Sequence, residues 1–232
     1  MHSHLQGHPG IIQAIKHLER LNPDQFEIYY ENRIATKIDS KDQKVDSLSR
    51  SEDVGISIRL IKDKKLGFSF TTSLDSQSIQ NAIETASEIA NWMPEDPYHS
   101  LHSFGSSVYP SVDNFDTQGL KVPLADKISL AKSLEDQCRK ADPRITSVRL
   151  ASVSENSTET FLIDSQGETV QHKNTVYTAS VTCKAESQGD SQVGSEFSFS
   201  NYLDNLEINS VAQLSAQWAI ELLGARTPPT LR

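Results

Sequence analysis

Between Glu52 and Asp75 the chain reads EDVGISIRLIKDKKLGFSFTTSLD, the stretch that most narrows the folds open to it. Val54, Ile56, Ile58 and Leu60 fall at every second position, the spacing at which side chains share one face of a strand. Gly55, Ser57 and Arg59 take the other face. Lys62–Lys65 is a charged break suited to a hairpin loop. Leu66, Phe68 and Phe70 then resume the alternation, so Phe68 is expected in the core, with Gly67, Ser69 and Thr71 opposite. Gly67 points to a bulge or a close backbone approach. Asp75 is placed to cap a helix, its carboxylate accepting from the Ser78 N–H, with Leu74 and Ile79 as a hydrophobic staple. Ile79, Ala82, Ile83, Ala86, Ile89, Ala90 and Met93 continue with helical spacing. The stretch therefore predicts a β-hairpin running into a helix.

The same logic extends along the chain. Ile11, Ile12, Ile15, Leu18 and Leu21 form a helical stripe that Asn22-Pro23 ends, because the residue before proline avoids helical dihedrals. Phe26, Ile28 and Tyr30 alternate, as do Ile34, Thr36 and Ile38; Lys41–Gln43 reads as a turn and Val45–Ser49 as a weaker strand, giving about five antiparallel strands in this half. Residues 94–120 are rich in Pro and Ser, keep no period, and read as a linker. Pro123–Ala141 reads as a helix with Leu124, Ile128, Ala131, Leu134 and Cys138 on one face. Strand-like runs follow at Ile145–Val153, Thr160–Ile163, Val170–His172, Val176–Cys183 and Val193–Phe199. Turns are expected at Asn156, Ser165–Gly167 and Ser187–Asp190. Val211, Leu214, Trp218 and Leu222 make the last helical stripe, with Gly224 at its C-cap. The fold class is α+β. Two units are expected, an amino-terminal one over 1–93 and a middle one over 121–232, each an antiparallel meander flanked by helices.

Two stretches resemble the TldD/PmbA family, on its PmbA (TldE) branch. In the first half the likeness rests on Asp53-Val-Gly-Ile-Ser-Ile-Arg59 and Leu66-Gly-Phe-Ser69. In the second it rests on Ala141-Asp-Pro-Arg-Ile145, the turn Asp164-Ser-Gln-Gly167, and a helix closing on Leu222-Leu-Gly-Ala225. The order and spacing of these short motifs, from about Gln25 to Arg232, carry the resemblance. It implies a cytosolic peptidase assembly in which a TldD-like subunit supplies zinc through a His-Glu-x-x-x-His core. The substrates it implies are unfolded peptides or small labile proteins, and the partner a TldD-like subunit or a second copy. It also implies a carboxy-terminal domain that this sequence does not include, so the chain is expected to be a shortened form.

The residues themselves carry little readable chemistry. A zinc hydrolase needs clustered ligands and a base, commonly two His on one helical face with Glu beside one. None of the seven His is followed by Glu, and no helix carries His four apart. His2, His4 and His8 read as a polar tail, and His99 and His102 lie among prolines rather than on a helix. A Gly-x-Ser-x-Gly elbow, a Walker loop and Gly-x-Gly-x-x-Gly are absent; Ser195 lies in a strand-like run with no readable base. Glu155, Glu159, Asp164 and Glu168 read as hairpin-end carboxylates. No catalytic, cofactor-binding or metal-binding residue is assigned, and no cofactor is expected.

Charge and cysteine usage bound the partners. A net charge of −9 disfavours a general nucleic-acid surface, which needs clustered Lys and Arg; Lys62, Lys64 and Lys65 read as a solvated turn. Cys138 and Cys183 are far apart, form no C-x-x-C and read as core residues of a reduced cytoplasmic chain. No apolar run reaches the roughly 18 residues of a membrane helix. The leading expectation is a non-catalytic PmbA/TldE-like component of a TldD-type zinc peptidase. The alternative is a peptide- or protein-binding module with no role in proteolysis, since an α+β sheet can pair with an extended peptide.

Overall fold

The computed structural model describes residues 8–105 and 109–226. His2 and His4 lie outside the described residues. The described elements follow the order α1 (Pro9–Leu21), β1 (Gln25–Lys41), β2 (Lys44–Lys62), β3 (Lys65–Thr71), α2 (Ser76–Trp92), α3 (Leu124–Lys140), β4 (Ile145–Asp164), β5 (Thr169–Ser187), β6 (Asp190–Ser200) and α4 (Ile208–Glu221). This is the α+β class expected, each half of the chain running helix, meander, helix.

The strands are fewer and longer than the alternation suggested. Ile34–Ile38 continues β1, and Val45–Ser49 is the first part of β2. Asn156 lies inside β4, and Val170–His172 opens β5. The chain folds back where two neighbouring residues adopt positive φ, at Asp42-Gln43, Asp63-Lys64 and Gln188-Gly189. Such pairs suit the two-residue hairpin turn whose twist matches that of the flanking strands. The polar stretches Glu31–Arg33 and Arg50–Asp53 have no such pair and stay extended.

The strand order is β3-β2-β1-β4-β5-β6 in one six-stranded sheet. The compact units differ from the chain halves. Unit 1 takes residues 1–33, 52–113 and 158–173; unit 2 takes 34–51, 114–157 and 174–232. The cause is strand length: β1, β2, β4 and β5 run 17 to 20 residues, and each contributes one part to each unit.

In unit 1, α1 packs beside α2, and both cover one face of the sheet. Ile11, Leu18, Ile28, Ile56, Ile58, Leu60, Ile79 and Phe161 are fully buried there. Pro9 opens α1, where its missing N–H costs nothing, and left-handed Asn22 closes it. Asp75 caps α2 as expected, accepting from Ser78 N at 2.9 Å. His8 is not part of a free tail: its ring lies 4.6 Å from Phe161 and 5.1 Å from Tyr30, measured between centroids.

The face expected for β3 is reversed. The two-residue turn sets the pairs Leu60↔Gly67, Ile58↔Ser69 and Arg59↔Phe68. Gly67 therefore shares the core face with Leu60, and Phe68 shares the open face with Arg59. Phe68 is 47% exposed and Phe70 66%. Gly67 is the close approach that its position suggested: a Cβ there would lie 1.9 Å from the Ala86 carbonyl oxygen. Helix α2 rests on the strand backbone, and only a residue without a side chain fits beneath it.

Unit 2 uses the same device. A Cβ on Gly194 of β6 would lie 2.1 Å from the Ser215 carbonyl oxygen of α4. The buried face of α4 is accordingly small: Val211, Ala212, Ser215, Ala216 and Ala219. The expected stripe holds at Val211 only in part, because Trp218 and Leu222 are exposed. Trp218 Nε1 donates to Glu196 at 3.0 Å. Helix α3 packs beside α4, and Leu134 and Cys138 are buried with Cys183, Tyr177 and Val181.

Candidate functional site

Among the described residues no group of three or more His, Cys, Asp or Glu could hold a metal ion. The residues weighed from the sequence are placed apart and given structural partners. His99 Nδ1 lies 3.2 Å from the Lys64 carbonyl oxygen, whereas His102 packs edge-on to Phe104 at 5.5 Å. Glu155 is ion-paired with Lys127, and Glu159 with Lys173 at 2.7 Å. Asp164 is buried and accepts from the N–H groups of Phe104 (3.0 Å), Gln166 (3.0 Å) and Glu168 (2.9 Å), so it shapes the turn after β4. Ser195 pairs across to Thr182 within the β5–β6 ladder. Cys138 and Cys183 are free thiols in the core of unit 2. Hydrogen bonding to Cys183 and burial push the Cys138 thiol up.

Several buried polar groups had no periodic signal. Glu135 is fully buried on α3 and accepts from Ser40 Oγ at 2.7 Å, from the Gln43 N–H at 3.1 Å and from Arg139 at 3.1 Å. It thereby holds the β1–β2 turn against α3. Asp39 accepts from the hydroxyls of Ser152 and Ser47. Asp116 accepts from the N–H groups of Gly119 (2.8 Å), Leu203 (2.9 Å) and Gln118 (3.0 Å). These buried carboxylates each accept from several donors, which is the condition for keeping a charge inside.

A groove of about 340 Å³ lies on the open face of unit 1. Its construction follows from which side chains each strand presents. β2 contributes a low floor, Gly55 and Ser57. β1 forms one wall with Tyr29 and Glu31, and β3 forms the other with Phe68 and Phe70. Val54, Asp53, Thr71 and Thr72 close the end. Tyr29 Oη donates to Glu31 Oε2 at 2.5 Å. Burial and the Glu31 carboxylate push the Tyr29 hydroxyl up to about 12, so it stays a donor at neutral pH. The alternation that marked Phe68 and Phe70 as core residues is the signal for this groove, read with the opposite face.

Comparison with known proteins places the two halves. The model for PmbA/TldA metallopeptidase domain 1 matches residues 26–90, and that for the PmbA/TldA metallopeptidase central domain matches residues 118–223. No curated protein matches the sequence. Among solved structures, a candidate modulator of a DNA gyrase from Thermotoga maritima superposes with a TM-score of 0.82 at 15% identity, over 97% of this chain and 50% of that one. A candidate modulator of DNA gyrase from Bacteroides thetaiotaomicron gives 0.82 at 18%, over 95% and 51%. TldE from Thermococcus kodakarensis gives 0.77 at 19%, over 91% and 47%. At these identities the likeness is one of fold, and the chain spans about half the length of each structure.

Proposed function

Because the chain belongs to the PmbA/TldD family of metallopeptidase-related proteins, we propose that it is a PmbA/TldE-like, non-catalytic component of a zinc peptidase assembly. In this reading a TldD-like subunit supplies the zinc and the hydrolytic water. The present chain supplies walls and docking surface for unfolded peptides or small labile proteins in the cytoplasm. The observation that carries the reading is the pairing of both family domains with a described structure in which no His, Cys, Asp and Glu cluster has the makings of a metal centre. Glu155 and Glu135 are bound to Lys127 and Arg139.

The test is a peptidase assay on an unfolded protein substrate. The purified chain is expected to give background cleavage with or without added zinc. Addition of a family subunit bearing His-Glu-x-x-x-His is expected to give cleavage that a chelator abolishes. Chelator-sensitive cleavage that follows the purified chain alone through every column would overturn the reading.

A further inference from the structure

Unit 2 holds a cavity of about 260 Å³ beside the first turn of α3. Its walls are aliphatic: Ile34 of β1, then Leu120, Val122 and Leu124. Two cations line it as well, Arg50 of β2 and Lys127 of α3. Lys127 is only 5% exposed, and its ammonium donates to Glu155, which also lines the cavity. An ammonium has three N–H donors, so two of them remain without a partner among the described residues. Arg50 is exposed and makes no hydrogen bond or ion pair among the described residues. Asp116, whose carboxylate feels the Lys127 charge, is already engaged by three backbone N–H groups and does not line the cavity. Donors still open to an acceptor therefore stand beside aliphatic surface.

Chemistry and size narrow the occupant. A guanidinium presents paired N–H groups that match the two oxygens of a carboxylate. A nearly buried ammonium is costly unless acceptors reach it. The aliphatic walls favour a ligand with an apolar stem, which inorganic phosphate lacks. At about 260 Å³ the cavity is smaller than the roughly 300–1,000 Å³ of pockets for drug-sized ligands, so one small residue fills it. We propose that the cavity binds a single aliphatic residue carrying a free α-carboxylate, with the carboxylate on Arg50 and Lys127 and the side chain against Leu120, Val122 and Leu124. Such a residue is either the end of a polypeptide or a free amino acid, and the Glu155 carboxylate has lone pairs to accept an N–H from either. The site lies within unit 2, so its test needs no zinc-bearing subunit, and a failed partnership with such a subunit would leave it standing.

The experiment is saturation-transfer NMR on the purified chain, titrated with N-acetyl-leucine and with free leucine. Saturable transfer, strongest at the leucine methyl groups, is expected for at least one of them. Tighter binding of N-acetyl-leucine assigns the site to a chain end, and tighter binding of leucine to the free amino acid. N-acetyl-leucinamide, which lacks the carboxylate, is expected to bind at least about tenfold more weakly than N-acetyl-leucine, and so is N-acetylglycine, which lacks the side chain. Arg50→Gln is expected to weaken binding about tenfold, the scale of one hydrogen-bonded charge contact. Inorganic phosphate is expected not to compete. Thermal unfolding checks the fold of Arg50→Gln, and if that variant unfolds, the amide comparison on the unaltered chain decides. No saturable transfer, equal binding of the amide or of N-acetylglycine, displacement by phosphate, or binding unchanged in folded Arg50→Gln would overturn the proposal.

Discussion

Two glycines set how closely helices α2 and α4 approach the edge strands. A methyl group at Gly67 has to displace the Ala86 carbonyl, and one at Gly194 the Ser215 carbonyl, because both obstacles are backbone. Gly67→Ala and Gly194→Ala are each expected to cost more than about 2 kcal/mol, the scale of overpacking that forces the backbone to move. Chemical denaturation checks this, and a loss below about 0.5 kcal/mol would show that the helix can lift freely. Asp39 makes a different kind of contribution. Burial alone would raise its carboxyl, but the Ser152 and Ser47 hydroxyls and the Lys37 ammonium outweigh burial and hold it below its ordinary value. A lowered folded pKa stabilises the fold above the unfolded value of about 3.9, and that contribution is lost as pH falls through the folded value. Asp39→Asn is therefore expected to lower stability at neutral pH and to flatten its decline below about pH 4. Unfolding midpoints measured from pH 2 to pH 6 test this; an unchanged slope would contradict it.

At the level of elements, alternation located β2 and β3 and helical spacing located α1, α2 and α3, because local periodicity reports which residues can share a face. It did not report which face of β3 is covered. Phe68 and Phe70 alternate as cleanly as core residues do, and the choice between faces is made by the two-residue turn at Asp63-Lys64, which pairs Leu60 with Gly67. The cost of Phe68→Ala falls accordingly. A fully buried phenylalanine would lose about 3–5 kcal/mol; at 47% exposure about 1 kcal/mol is expected. A loss of 3 kcal/mol or more would restore Phe68 to the core and reverse the register. The turn can be tested directly. Lys64 has φ 60 and Asp63 has φ 50, both left-handed. Glycine adopts that region without penalty, so Lys64→Gly is expected to stabilise by about 1 kcal/mol. A destabilised variant would mean that the turn is not the one described.

For the whole molecule, the sequence made the class and the family legible, since both rest on the order of elements and short motifs. The division into units was not legible. A strand of 17 to 20 residues carries the same alternation whichever helix covers each part of it, so nothing local marks where β1 or β4 passes from one unit to the other. Nor were the buried Lys127 and Glu135, whose partners Glu155 and Ser40 lie far along the chain. The candidate groove was present in the sequence as the alternation of Phe68 and Phe70, but assigned to the interior. The central claim is that this chain acts through a zinc-bearing relative. Sedimentation velocity on the purified chain, alone and mixed with a family subunit bearing His-Glu-x-x-x-His, tests that claim most directly. A new, faster-sedimenting boundary containing both chains in fixed ratio is the result predicted. Two independent boundaries at every concentration, with this chain a monodisperse monomer throughout, would contradict it.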